Sequence, residues 1–237
     1  MSRALVTGGS GVIGRAIAQA LAAAGHHVYV HGRGAAAAAV AAEIVAAGGA
    51  AEPVMFDVTD AAGTAAALAG ILEAGPIQIL VNNAGIHDDA VMPGMRAAQW
   101  ASVIDVSLNG FFNVTQPLLL PMIRTRWGRI VNISSVSAVM GNRGQANYAA
   151  AKAGLHGATR ALALEVASRG ITVNVIAPGI IESPATETMF PKDVISKLVP
   201  MQRAGRPEEV ADLAAYLASE RAGYISGQII SINGAMA

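Results

Sequence analysis

The sequence predicts an α/β fold in which one open, doubly wound parallel sheet carries helices on both faces, and three observations support that expectation. Short β-branched runs alternate with longer Ala- and Leu-rich stretches along the whole chain, which is the sequence form of repeated βαβ units. A glycine-rich turn, Thr7-Gly8-Gly9-Ser10-Gly11-Val12-Ile13-Gly14, stands at the first strand-to-helix crossing, where such sheets place a nucleotide-binding turn. No linker-like segment divides the 237 residues. One Rossmann-like domain over 1–237 with about seven strands follows.

Strands are expected at 4–7, 27–31, 52–57, 79–82, 129–133, 172–177 and 229–232, each a short run rich in β-branched or small apolar residues. Helices fill the intervals. The clearest cover 14–24 after the glycine turn, 35–47 through an alanine run whose small residues suit packing, 100–122, 147–168, and 207–218 behind Pro207. Residues 182–206 break the alternation by mixing Pro, Met, Thr and charge. That segment is a candidate mobile substrate flap.

Composition narrows the function. With 53% hydrophobic and 14% charged residues and zero net charge, the chain has no basic footprint for nucleic acid. Cysteine is absent, which excludes disulfides, thiolate catalysis and Cys-based metal sites. The strand-like start at Arg3-Ala4-Leu5-Val6-Thr7 shows no signal-peptide pattern, and the apolar helices are interrupted before they reach a membrane span. A cytoplasmic protein is expected.

The chemistry is concentrated in Tyr148-Ala149-Ala150-Ala151-Lys152, thirteen residues after Ser135. Residues i and i+4 share a helical face, so the Lys152 ammonium can lie beside the Tyr148 phenol. A cation about 4 Å away at an effective dielectric of about 20 favours a phenolate by roughly 4 kcal/mol before desolvation is subtracted. A phenol moved toward neutrality can protonate a carbonyl oxygen as hydride reaches its carbon, while a serine hydroxyl holds that oxygen. At the other end of the reaction, the glycine turn allows close backbone approach and offers a pyrophosphate the unpaired N–H groups of a helix N-terminus.

Thr7 to Gly14, Asn82-Asn83-Ala84-Gly85, Ser135, Tyr148-x-x-x-Lys152 and Pro178-Gly179, in this order and spacing, closely resemble a short-chain dehydrogenase/reductase over essentially the whole chain. Within that family, Gly144 to Gly154, Ser168 to Asn174 and the ending around Tyr224 to Gly234 look most like 3-oxoacyl-[acyl-carrier-protein] reductases. The resemblance implies NADPH-dependent reduction of a 3-oxoacyl thioester to a 3-hydroxyacyl thioester, in fatty-acid or polyketide-type synthesis. It makes Tyr148 the proton donor, Ser135, rather than the adjacent Ser134, the carbonyl orienter, and Lys152 the residue that lowers the phenol pKa and holds the nicotinamide ribose. It also implies that Gly8, Ser10, Gly11, Val12, Ile13 and Gly14 cradle the phosphates and that Asp57 and Val58 meet the adenine. Asn82, Asn83, Ala84 and Gly85 would line the cofactor, and Pro178, Gly179, Ile181 and Ser183 would approach the nicotinamide.

Two positions depart from the family pattern. Val12 stands where glycine is usual, so it would either strain the turn or crowd the pyrophosphate. Ser107 stands where the family has an asparagine that supports a proton relay behind the lysine. Asn109, two residues on, points about 200° away on a helix and is read as a packing or capping residue.

The end of the second strand, His31-Gly32-Arg33, has no acid for a ribose 2′-hydroxyl, and Arg33 suits a 2′-phosphate, so NADP(H) is expected. His31 itself is read as a surface residue. Arg126 and Arg169 match places used to dock acyl carrier protein in similar reductases, and Met92, Met95, Met140 and Met189 are candidates to soften an acyl channel. The resemblance implies a homotetramer, and the apolar C-terminal strand suits one. Two alternatives stand beside the leading reading: the same mechanism on another small ketone or alcohol, and a non-catalytic nucleotide-binding subunit.

Overall fold

The chain forms β1 (Arg3–Val6), β2 (His27–Gly32), β3 (Ala50–Met55), β4 (Ile79–Asn82), β5 (Gly128–Ile133), β6 (Ile171–Pro178) and β7 (Ile229–Ile232). This computed structural model describes residues 1–237, the side chains of Ala185 and Met189 excepted. All seven strands pair in parallel in the order β3-β2-β1-β4-β5-β6-β7. The order reverses between β1 and β4. A crevice must therefore open beyond their carboxyl ends, because the crossovers on either side leave in opposite directions.

The helices are α1 (Val12–Ala23), α2 (Ala36–Ala46), α3 (Ala61–Glu73), α4 (Ala97–Ile104), α5 (Gly110–Thr125), α6 (Ser137–Met140), α7 (Ala146–Val166), α8 (Pro184–Met189), α9 (Lys192–Leu198) and α10 (Pro207–Leu217). Strand alternation sorts the core onto two faces. In β1, Ala4 and Val6 face Ile17 and Leu21 of α1 together with Val210 and Leu217 of α10. Leu5 points the other way, toward Leu68 of α3, Leu118 of α5 and Leu162 of α7. No helix among the described residues is long and apolar enough to cross a membrane.

Several elements differ from expectation, among them α1, which starts at Val12, and the short helices α6, α8 and α9. β3 starts and ends two residues early, because its register follows His27 against Ala50 and Gly32 against Met55; Asp57 thus falls in the following turn, where its carboxylate accepts from Thr59 N at 2.9 Å and Thr59 Oγ1 at 2.8 Å. Helix α3 was not singled out, although Asp60 caps it by accepting from Gly63 N at 3.0 Å. The helix expected over 100–122 is interrupted by a π turn at Asp105–Asn109, which separates α4 from α5.

A buried polar ladder spans the sheet just below the crevice. Asn82 Nδ2 donates to Thr115 Oγ1 of α5 at 3.0 Å and to Asn132 Oδ1 of β5 at 2.9 Å; Asn132 Nδ2 donates to Thr159 Oγ1 of α7 at 2.7 Å. Asn132 is completely buried, so water cannot replace a lost partner. Asn132→Ala is expected to destabilise the fold by about 1–3 kcal/mol, seen as a lower urea midpoint. An unchanged midpoint would show that the ladder adds nothing.

Candidate active site

A cleft of about 1100 Å³ runs along the carboxyl ends of the strands, from the glycine turn to Tyr148. Its near wall is the turn between β1 and α1. Gly8 adopts a left-handed φ of 61°, and a Cβ on Gly14 would lie 2.2 Å from the Gly8 carbonyl oxygen, so neither position admits a side chain. Thr7 stitches this turn to β4: its Oγ1 accepts from Asn83 N at 2.9 Å and from Ala84 N at 3.0 Å. The N-cap of α1, Gly11, has no side chain to bond the first-turn N–H groups. Those donors are left for an anion.

Gly8, Ser10, Gly11, Val12, Ile13 and Gly14 line one end of the cleft, followed by Arg33, Asp57 and Val58 beyond β2 and β3, then Asn83, Ala84 and Gly85 beyond β4. Pro178, Gly179, Ile181 and Ser183 border the far side beside Ser135, Tyr148 and Lys152. Asn82 is not on the cleft, because its amide serves the ladder below. The Asn83 amide is also occupied, donating to Thr7 O at 3.0 Å and Gly8 O at 3.1 Å, so its side chain holds the glycine turn in place. Arg33 is exposed and forms no ion pair among the described residues.

At the far end α7 presents Tyr148 and Lys152 on one face, with Lys152 Nζ 5.8 Å from the Tyr148 ring centroid. Nζ donates to the Ile133 carbonyl at 2.9 Å. The two serines after β5 separate cleanly. Ser134 is buried, donates to Lys152 O at 3.1 Å and meets His156 Nε2 at 2.7 Å, so its hydroxyl anchors the helix. Ser135 is half-buried; its hydroxyl accepts from Ser137 N at 3.1 Å and borders the cleft beside the Tyr148 phenol.

Burial reverses the expected shift of the phenol. Desolvation pushes Tyr148 up to about 12, the Ser135 hydroxyl pulls it down, and the Asp89 carboxylate pushes it up again. The same desolvation takes Lys152 down to about 8. The cation stands beyond the ring and spends a hydrogen bond on a carbonyl, so in the free protein its pull on the phenolate is outweighed. Tyr148 is therefore a protonated acid at neutral pH.

The π turn decides what stands behind Lys152. It turns Ser107 inward, 3% exposed, with a hydroxyl that has no partner among the described residues, while Asn109 is exposed and donates to Asp105 Oδ1 at 2.7 Å. A Cβ on Gly85 would stand 3.0 Å from Lys152 Nζ and 3.6 Å from Ser107 Oγ, so the hydroxyl and the ammonium face the same small space. Ser107 alone of the catalytic candidates lies behind the cleft wall rather than on it.

The comparisons agree with this geometry. The sequence profile of a family described as short chain dehydrogenase matches residues 2–193. The chain belongs to the short-chain dehydrogenase family. It is 44% identical over 236 residues to the 3-oxoacyl-[acyl-carrier-protein] reductase FabG of Escherichia coli (strain K12), covering 98% of this chain and 96% of that protein. The corresponding FabG of Aggregatibacter actinomycetemcomitans is 44% identical, with 98% of each chain covered. Among solved structures, a putative gluconate dehydrogenase from Agrobacterium tumefaciens superposes with a TM-score of 0.95 at 35% identity, covering 99% of this chain and 95% of that one.

Against the short-chain dehydrogenase pattern, the two departures now have a physical form. Val12 opens α1 with an ordinary negative φ, which rules out backbone strain, and its side chain is 41% exposed on the cleft. Crowding of the phosphate is what remains. Arg126 ends α5 and Arg169 precedes β6, so both sit at the amino ends of the strands, opposite their own chain's cleft. Of the four methionines, Met140 lines the cleft, Met92 and Met95 do not, and the Met189 side chain lies outside the described residues.

One cleft residue, His87, was not anticipated from the sequence, and a second, His31, is not where the sequence led us to expect it. His87 stacks on Tyr148 with centroids 4.0 Å apart, its Nδ1 3.9 Å from Asp89 Oδ1, and only the fold brings them together. His31, expected at the surface, is 3% exposed beneath the glycine turn. Its place just before Gly32-Arg33 was the available signal. The 182–206 segment folds as α8 and α9, its ends joined by Glu182 N donating to Gly205 O at 2.9 Å.

Val12→Gly is expected to lower the dissociation constant for a nicotinamide dinucleotide several-fold in fluorescence titration, and an unchanged constant would refute crowding. For Lys152, carrying its charge at pH 7 with a pKa of about 8 instead of 10.5 costs about 3 kcal/mol, of which a lost hydrogen bond would return about 1. Lys152→Met should accordingly stabilise the free protein by about 2 kcal/mol in calorimetry or denaturant melts. Because the folded value lies below the unfolded one, the unfolded chain holds the extra proton between about pH 8 and 10.5. Wild-type stability should gain from this group as pH rises through that window, and the variant should lack the gain.

Proposed function

We propose that this chain reduces 3-oxoacyl thioesters carried on acyl carrier protein to 3-hydroxyacyl thioesters with NADPH, in fatty-acid biosynthesis. The observation that supports it most is the meeting of Ser135 and Tyr148 at one end of a cleft whose other end is a glycine turn with free helix donors. The full-length similarity to 3-oxoacyl-[acyl-carrier-protein] reductases gives the substrate class.

When bound, the nicotinamide supplies hydride to the carbonyl carbon. Ser135 donates a hydrogen bond to the carbonyl oxygen, holding it beside the phenol and favouring the charge that develops there. Tyr148, kept protonated by burial, transfers its proton to that oxygen. Lys152 holds the ribose and offers a positive charge to the phenolate left behind; a proton passes from Lys152 to the phenolate, and Lys152 regains one from solvent through the space it shares with Ser107. Arg33, exposed and without an acid partner, takes the 2′-phosphate and selects NADPH over NADH. The segment 182–206 closes over the acyl group, and Phe112, Leu120 and Leu164, exposed on α5 and α7, pack against further copies in a homotetramer.

One observation favours a second reading, in which the same residues act on a small hydroxy compound. Asp89 lines the cleft, while Arg126 and Arg169 are at the opposite end of the sheet, so a single chain brings neither arginine to its own entrance.

A panel of acyl-carrier-protein thioesters, acetoacetyl thioester and free ketones, run with NADPH and NADH in parallel, separates these. Thioester reduction with NADPH is expected to dominate, and Tyr148→Phe should lower kcat by about 10²–10⁴-fold. Turnover preserved in that variant would defeat the assignment of the acid, and reduction of free ketones alone would favour the second reading.

A further inference from the structure

His31 sits at the end of β2 under the glycine turn, 3% exposed. Both ring nitrogens are engaged. Nδ1 accepts from Gly8 N at 3.1 Å and Nε2 donates to the Phe56 carbonyl at 3.0 Å. A ring that accepts at one nitrogen and donates at the other is a neutral imidazole in a single tautomer. The backbone repeats the attachment, with Gly9 N donating to His31 O at 2.8 Å, and the Phe56 ring packs on the imidazole with centroids 4.0 Å apart.

We propose that His31 is a positioning residue for the dinucleotide: its neutral imidazole clasps Gly8 to the end of β3, holding the glycine turn open to the cofactor, and protonation releases the clasp. A proton on Nδ1 would set two donors against each other at Gly8 N. The turn has little room to yield, because Gly8 O accepts from Gly11 N at 3.0 Å and from Asn83 Nδ2 at 3.1 Å, and it blocks any Cβ at Gly14. The loop must then shift as a unit, taking the donors of α1 with it.

The charged groups facing the ring are few. Asp57, after β3, favours the imidazolium, and Arg33, on the ring's own strand end, opposes it; the glycine turn and Ala37 of α2, which packs on Gly32, bring no titratable group. Burial is the largest influence and holds the pKa of His31 below its usual 6.5. The stability this histidine supplies is thus complete above about pH 6.5 and is lost as pH falls toward the lowered folded value.

This inference rests on the proposed dinucleotide site, and its test separates the two. NADP⁺, which survives acid, is titrated calorimetrically from about pH 8 down to about pH 4, well below the ordinary imidazole range, into the wild type, His31→Gln and His31→Phe. Glutamine offers an acceptor and a donor and does not titrate, so His31→Gln should restore most of the affinity that His31→Phe loses, the loss being about tenfold or more. Wild-type affinity should fall relative to His31→Gln as pH drops through the lowered value of the folded protein, by at most about tenfold per pH unit for one proton. The glutamine variant also cancels the titration of the 2′-phosphate itself. Should His31→Phe not fold, the comparison of wild type with His31→Gln suffices, together with imidazole ¹⁵N shifts showing Nδ1 unprotonated and Nε2 protonated. Parallel pH profiles, tighter wild-type binding in acid, or a protonated Nδ1 would overturn the clasp while leaving the cofactor site intact. Failure of the wild type to bind NADP⁺ at any pH would remove both.

Discussion

The approach of α1 to the first turn governs this structure. With hydrogen alone at Gly14, the helix starts in contact with the Gly8 carbonyl, and a single methyl would intrude to 2.2 Å. That contact aims the helix N-terminus along the crevice between β1 and β4, where the strand order reverses. Thr7 and Asn83 lock it from the β4 side, and His31 reaches it from β2. The same few atoms therefore carry sheet topology, helix direction and the anion-binding donors.

Desolvation dominates the other end of the cleft. A fully buried ammonium opposes the fold, since water would serve it better, whereas burial of the phenol penalises only its ionised form. Main-chain groups compensate: Ile133 O receives the Lys152 ammonium, and the Ser134 hydroxyl holds the Lys152 carbonyl. The site is held by the strand end below it and by α7 beside it, and the polar ladder through Asn82 and Asn132 ties those supports together. Tyr148 is held protonated in the free protein, while Ser135 favours its ionised form.

Around this frame three side chains shape the cleft and its back wall. Val12 stands exposed beside the glycine turn, Ser107 puts a short hydroxyl behind Lys152, and His87 covers one face of the Tyr148 ring. All three act on the volume of the cleft and on the solvation of its charges. They leave the strand order untouched. Such changes adjust affinity and proton supply more readily than fold.

The alternation of β-branched and alanine-rich runs, the glycines from Gly8 to Gly14 and the spacing of Ser135, Tyr148 and Lys152 were legible because each is a local rule. Period, turn chemistry and i, i+4 geometry need no knowledge of distant residues. Helix α3 and its Asp60 cap were legible too, though overlooked. The π turn that faces Ser107 inward, the burial of His31, the stack of His87 on Tyr148 and the remoteness of Arg126 and Arg169 from the cleft were decided by the packed chain. So was the direction of the Tyr148 shift. Spacing along a helix places an ammonium beside a phenol, but which protonation state prevails depends on how much water the surrounding elements exclude, and that is a property of the assembled sheet and helices.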